Sequence, residues 1–201
     1  MDTEKTLIAA RDLTVGYARA AAIVVPDFDL VGGVVWHVVG PNGSGKTALL
    51  KTLAGLLRPV AGRVERHVGR GFHGVIYVHS VPFVFSGSVK RNLLLARPSV
   101  KRMENAAEIF GLSALLDRDA ARLSHGEQRR LALARAIASR PYVLLVDEPE
   151  GGLDDEALGA WRTCVVRAFE EGDTALVVAT HRPLAFDGIP LREIRLSPGP
   201  A

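Results

Sequence analysis

Gly40-Pro41-Asn42-Gly43-Ser44-Gly45-Lys46-Thr47 satisfies the G-x-x-x-x-G-K-[ST] spacing at every fixed position. It follows the apolar run Val34-Val35-Trp36-His37-Val38-Val39 and precedes Ala48-Leu49-Leu50-Lys51-Thr52-Leu53-Ala54, whose apolar residues recur at helical spacing. The strand, loop and helix that such a motif needs are thus all in place. Gly40, Gly43 and Gly45 can take positive φ and bring backbone N–H groups close to phosphate oxygens. The following helix aims its unpaired amides and partial positive charge at the same anion. Lys46 supplies a mobile charge for the β- and γ-phosphates of a nucleotide, and the Thr47 hydroxyl suits a Mg²⁺ ion. Pro41, Asn42, Ser44 and Ala48 complete the candidate nucleotide-binding stretch. A glycine-rich turn with an incidental lysine is the plainer alternative, and the flanking strand and helix patterns weigh against it.

The 201 residues are enough for one domain, divisible into subdomains. With 48% hydrophobic and 23% charged residues, the chain can fill a core and does not read as disordered. The formal net charge of +3 is mild. The arginines between 128 and 140 fall on a helical pattern and are expected on a solvated face, so no nucleic-acid partner is expected. Cys164 is the single cysteine, which excludes an internal disulfide and is compatible with a reducing compartment. The charged start, Met1-Asp2-Thr3-Glu4-Lys5, lacks a signal-peptide apolar stretch. Pro26, Asp27, Asp29 and two glycines break the most membrane-like window, so no uninterrupted span of ~20 apolar residues is expected.

Strands are expected at Leu7–Val15, Ala22–Leu30, Val34–Val39, Arg63–Arg66, Val75–Val78, Tyr142–Val146, Thr174–Thr180 and Leu191–Leu196. Helices are expected at Lys46–Leu56, Val89–Leu95, Lys101–Phe110, Glu127–Ala138 and Asp155–Phe169. Strands alternating with helices predict an α/β fold with a parallel-sheet core. The early strands come without intervening helices and predict an attached antiparallel β portion. The stretch 82–124 reads as an inserted helical subdomain, with 1–81 and 125–201 forming the nucleotide-binding core. The short distance from Gly62 to Val75 leaves little room for a further β-hairpin.

Two later constellations extend the chemistry. Tyr142-Val143-Leu144-Leu145-Val146-Asp147-Glu148 is an apolar strand ending in two acids. Such a strand can hold Asp147 beside the phosphate site, near the metal, and leave Glu148 to orient or deprotonate a water. In Leu123-Ser124-His125-Gly126-Glu127-Gln128, Ser124 is a candidate N-cap and Glu127 completes a capping box. A capped helix N-terminus is also an anion site, so both readings can hold.

In this order the motifs resemble those of the ABC-type ATPases across almost the whole chain. The resemblance implies a P-loop NTPase of ABC type, with a RecA-like core, that binds MgATP and hydrolyses it. Asp147 and Glu148 then correspond to the Walker B acids, and Ser124, Gly126 and Glu127 to the signature motif that addresses ATP on a second protomer. His181, after Thr180, resembles the switch histidine, and Tyr17 the aromatic that stacks on adenine. Gly151-Gly152-Leu153-Asp154 sits where the family has its D-loop. The implied partners are a second protomer, identical or not, and a membrane permease. The implied location is the cytoplasmic face of the membrane, through that permease. Within the family, the absence of a zinc-like cysteine set and of a long coiled-coil insertion weighs against the repair and chromosome-organising branches. The segment before Leu123, without the glutamate–glycine pattern of fused exporters, favours a stand-alone subunit.

Three positions depart from the pattern. Ser80 stands where the Q-loop glutamine that reaches the metal is usual, and it needs a water to bridge the gap. His125 replaces the first signature glycine, and Ala48 a frequent second hydroxyl. If strand alternation persists, His79 faces the opposite way from Ser80. These departures leave open a regulatory module with weak turnover, and a soluble ABC ATPase outside transport is the third reading. Pro82-Phe83-Val84-Phe85 is read either as a permease contact or as core of the helical insert.

Overall fold

The computed structural model describes residues 5–17, 22–69, 74–150, 158–159, 161–163, 165–166, 174–181, 186 and 188–197. Its centre is a parallel five-stranded sheet in the order β6-β7-β8-β4-β9, built from β4 (Val35–Val39), β6 (Val75–Val78), β7 (Val143–Asp147), β8 (Ala175–Ala179) and β9 (Leu191–Arg195). Every residue of β7 and β8 is buried, which explains why Val-Leu-Leu-Val-Asp and Ala-Leu-Val-Val-Ala are continuous apolar runs instead of alternating ones. A second, antiparallel sheet pairs β1 (Thr6–Val15) with β2 (Ile23–Val24), β3 (Phe28–Val31) and β5 (Ala61–Arg66). The expected division into a parallel core and an antiparallel β portion is present.

The expected strand Ala22–Leu30 is two short strands, β2 and β3. Pro26 lies between them, where its missing N–H would leave a gap in a continuous ladder. Gly62 takes φ +74° where β5 crosses β1, and a Cβ there would stand 2.2 Å from the Asp12 carbonyl oxygen. Only glycine allows that approach.

Helix α1 (Lys46–Ala54) follows β4 and buries Ala48, Leu49, Leu50 and Leu53. It belongs to a core made with the antiparallel sheet and one face of the parallel sheet, through Val143, Leu145 and Val177. The opposite face, through Leu144, Val146, Leu176 and Val178, packs into a second cluster. That cluster takes side chains from α2 (Val89–Leu94), α3 (Val100–Ile109) and α4 (His125–Ala138). Ser88 and Ser99 cap α2 and α3 by accepting from Arg91 N and Arg102 N.

The arginines of α4 correct the sequence reading. Arg129 is fully buried, and Arg135 stacks over the Phe85 ring at 4.9 Å, so neither belongs to a solvated face. The expected helix Asp155–Phe169 is helical where described, at 158–159, 161–163 and 165–166, with Trp161 and Val165 buried. Its remainder, Cys164 among it, lies outside the described residues, as do Gly151-Gly152-Leu153-Asp154 and Met1–Glu4. Among the described residues, no helix is long and apolar enough to cross a membrane.

Candidate functional site

The C-terminal ends of β4, β7 and β8 share one edge of the sheet, where parallel α/β folds place their ligand crevices. The 40–47 loop leaves β4 at that edge and turns into α1. Gly43 and Gly45 have φ of +80° and +85°. A Cβ on Gly40 would lie 2.4 Å from Ser44 Oγ and 2.7 Å from the Leu196 carbonyl oxygen, so the loop closes on itself only as glycine. No side chain caps α1, and its first turn carries no acid, which leaves its N-terminal amides for an outside anion. Ser44 is 1% exposed, yet its Oγ makes no hydrogen bond. A buried hydroxyl in that state is costly unless a bound group satisfies it. Lys46 Nζ folds back onto the carbonyl oxygens of Gly40 (2.8 Å) and Pro41 (3.0 Å), within the loop it serves. The residues fit a bound phosphate chain.

Asp147 ends β7 and is 2% exposed. Its Oδ2 accepts from Thr47 Oγ1 at 2.9 Å and from the Tyr77 hydroxyl at 3.0 Å. The first bond ties the phosphate loop to the acidic strand, and the second ties in β6. Burial, followed by the negative charge of Asp147, pushes the Tyr77 hydroxyl far above its ordinary pKa. Tyr77 was not among the residues singled out from sequence. Ser80 was, but its Oγ lies 3.4 Å from His79 Nδ1, and no hydrogen bond joins it to Asp147 or Thr47. The expectation that His79 faces away from Ser80 fails because β6 ends at Val78 and the chain turns. In that turn His79 Nδ1 accepts from Val81 N at 2.9 Å.

Glu148 follows at φ 47°, in the left-handed region that costs a non-glycine residue about 1–3 kcal/mol. Its N–H donates to the Ala179 carbonyl on β8 at 2.8 Å. Arg129 reaches it from α4, donating to the carbonyl oxygens of Asp147 (2.8 Å) and Glu148 (2.7 Å) and also to that of His79. Burial lowers the Arg129 pKa from its ordinary value, while Asp147 leads the nearby acids that oppose the shift. Thr180, at the end of β8, donates to a Glu150 carboxylate oxygen. His181 is exposed beyond it.

The capping box expected at Ser124 is present. Glu127 N donates to Ser124 Oγ at 3.3 Å, and Ser124 N donates to Glu127 Oε2 at 2.7 Å. Hydrogen bonding to the Ser124 backbone, and then to its side chain, holds Glu127 below the usual carboxylate range. Ser124 and His125 are exposed, and no hydrogen bond joins residues 124–127 to the 40–48 loop. Thr47 thus joins the 40–48 loop to Asp147 and the strand end that carries Glu148, and among the described residues no such bond reaches the 124–127 turn. Tyr17 is 68% exposed, and its hydroxyl accepts from Lys51 Nζ at 3.0 Å.

Residues 25–151 match the family model for ABC transporters. The chain belongs to the ABC transporter family. It is similar to the cytochrome c biogenesis ATP-binding export protein CcmA of Bordetella bronchiseptica, with 40% identity over 172 residues, 78% of this chain and 75% of the relative. It is also similar to the zinc import ATP-binding protein ZnuC of Alkalilimnicola ehrlichii, with 35% identity over 178 residues, 88% of this chain and 68% of the relative. The solved ATP-binding subunit of an ABC transporter shares the fold at TM-score 0.76 and 23% identity, covering 88% of this chain and 80% of that one. The chain is an ABC transporter ATP-binding subunit and an ATPase.

Exchanging Tyr77 for Phe keeps the ring and removes one donor to the Asp147 carboxylate. Urea unfolding of Tyr77→Phe without nucleotide is expected to show a loss of about 1.5–3 kcal/mol, the scale of a hydrogen bond to a charged group. An unchanged unfolding free energy contradicts the role given to that bond.

Proposed function

We propose that this ABC ATP-binding subunit binds MgATP in the 40–48 loop and hydrolyses it between two protomers, powering a separate membrane permease. The observation that carries this reading is the Thr47–Asp147 bond, which has no counterpart at the exposed 124–127 turn. The phosphate loop and the acids of β7 are joined through Thr47 and Asp147, while among the described residues no hydrogen bond joins the capped, exposed N-terminus of α4 to that loop. A second copy, head to tail, offers that N-terminus to the nucleotide of the first.

Each residue has a part in that scheme. The loop amides and Lys46 cradle the phosphates, once Lys46 leaves its own carbonyls. Thr47 and Asp147 are hard oxygen ligands suited to hold Mg²⁺ beside the nucleotide, directly or through water. A cation held there would supply positive charge to offset the charge that develops on the phosphates. Glu148 takes the proton of the attacking water, and His181 steadies the γ-phosphate. Tyr17, exposed next to Lys51, offers its ring to adenine. Ser124, Gly126 and Glu127 complete the partner's site. Ser80 is left a minor, water-bridged part near the metal, because Tyr77 makes the contact from β6. The 82–124 stretch acts as a helical subdomain on the 1–81 and 125–201 core. The working location is the inner face of the membrane, through the permease.

The permease docks at the groove beside Ser80. A cavity of about 440 Å³ there is lined by Ile76, Val78, Phe83, Phe85, Leu95 and Arg135. Phe83 and Phe85 meet edge to face at 4.9 Å, yet remain 63% and 44% exposed, which favours a contact surface over buried core.

Catalysis in this scheme is positioning plus electrostatics, so Glu148→Gln should lower turnover by about 100-fold or more while MgATP affinity stays within severalfold. Wild-type hydrolysis by Glu148→Gln removes Glu148 as the base. Phe83→Ala should fold normally and lose co-purification with the permease. A variant that unfolds, yet still binds when folded, returns Phe83 to the core.

A further inference from the structure

Arg129 is the largest polar side chain buried without exposure, and neither the phosphate loop nor the signature turn accounts for it. It lies one turn into α4, past Ser124, and its two terminal nitrogens donate to main-chain carbonyls while its Nε is buried without a partner. One donor goes to His79, at the turn that carries Ser80. Two go to Asp147 and Glu148, the consecutive acids at the end of β7. Asp147, Glu150 and Glu148 surround it electrostatically. Glu148 is held at φ 47°, a posture a non-glycine residue keeps only when its neighbours enforce it. The Ala179 carbonyl grips its amide from one side, and Arg129 grips its carbonyl from the other.

We propose that Arg129 is a positioning residue for Glu148, a clamp that fixes the backbone of the base and ties it to α4 and the His79–Ser80 turn. The clamp has a consequence for coupling. Any displacement of α4 relative to β7 is felt first at the Glu148 carbonyl, because a buried cation cannot slide away from its acceptors without loss. The signature turn and the base therefore move as one body, although they serve nucleotides on different protomers. An arginine suits this place because its planar fork addresses several acceptors at once, whereas a lysine offers a point charge. This inference rests on Glu148 being the base.

Arg129→Gln and Arg129→Lys in the full chain test it. Arg129→Gln should lower kcat by roughly 10- to 100-fold, the scale of a small misplacement of a catalytic group, while KM for MgATP stays within about threefold. Arg129→Lys should recover part of kcat by retaining a cation at the carbonyls. Hydrogen exchange at residues 147–150, measured without nucleotide, should quicken about fivefold or more in Arg129→Gln, with α1 unchanged. Unchanged kcat, or kcat and KM worsening together without recovery in Arg129→Lys, overturns the clamp. So does exchange that rises evenly through the fold. Wild-type turnover in Glu148→Gln would sink the base assignment instead, and the exchange at 147–150 still judges whether Arg129 holds that backbone.

Discussion

The structure turns on one carboxylate. Asp147 is buried at the end of a fully buried strand, where an unpaired charge is costly. Its partners come from three different elements. Thr47 reaches it from the phosphate loop and Tyr77 from β6, while Arg129 secures the main chain at its base from α4. Without those contacts the burial of that acid would go uncompensated. With them, α1, β6, β7 and α4 are pinned to one point at the sheet's C-terminal edge.

That point explains why the rest of the chain is arranged as it is. Two buried faces make β7 and β8 rigid, and rigidity lets a strand end present acids at fixed places. The antiparallel sheet braces α1 from its far side, so the loop between β4 and α1 is held at both ends. Gly43 and Gly45 take the positive φ that lets such a loop turn its amides toward an anion, and α1 has no capping side chain to compete for it. On the opposite face, the helices from α2 to α4 pack on the same strands, so the signature turn is carried by the body that holds Glu148.

What could be read from the sequence was local. The eight residues from Gly40 to Thr47 declare their geometry through glycine spacing. The acids after Tyr142–Val146 are marked by the apolar run before them, and Ser124 with Glu127 announces a helix start three residues apart. Pro26 carried the signal for the break between β2 and β3, but the apolar residues around it masked that signal. The misreadings were contacts across the chain. Tyr77 and Asp147 are 70 residues apart, and Arg129 and His79 are 50 apart. Nothing in a helical run of arginines says which one will point inward, because its acceptors are backbone carbonyls that leave no trace in the sequence. Ser80 drew attention as the departure in its motif, yet the reaching group on β6 is three residues earlier, on a side chain long enough to arrive.

The central claim is that one chain carries half of each hydrolytic site. Steady-state MgATP hydrolysis by the purified chain, measured across a wide range of protein concentration, addresses it directly. The account predicts activity per chain that climbs with concentration and levels off once dimers dominate. Full activity per chain at dilutions where sedimentation shows only monomers would contradict it.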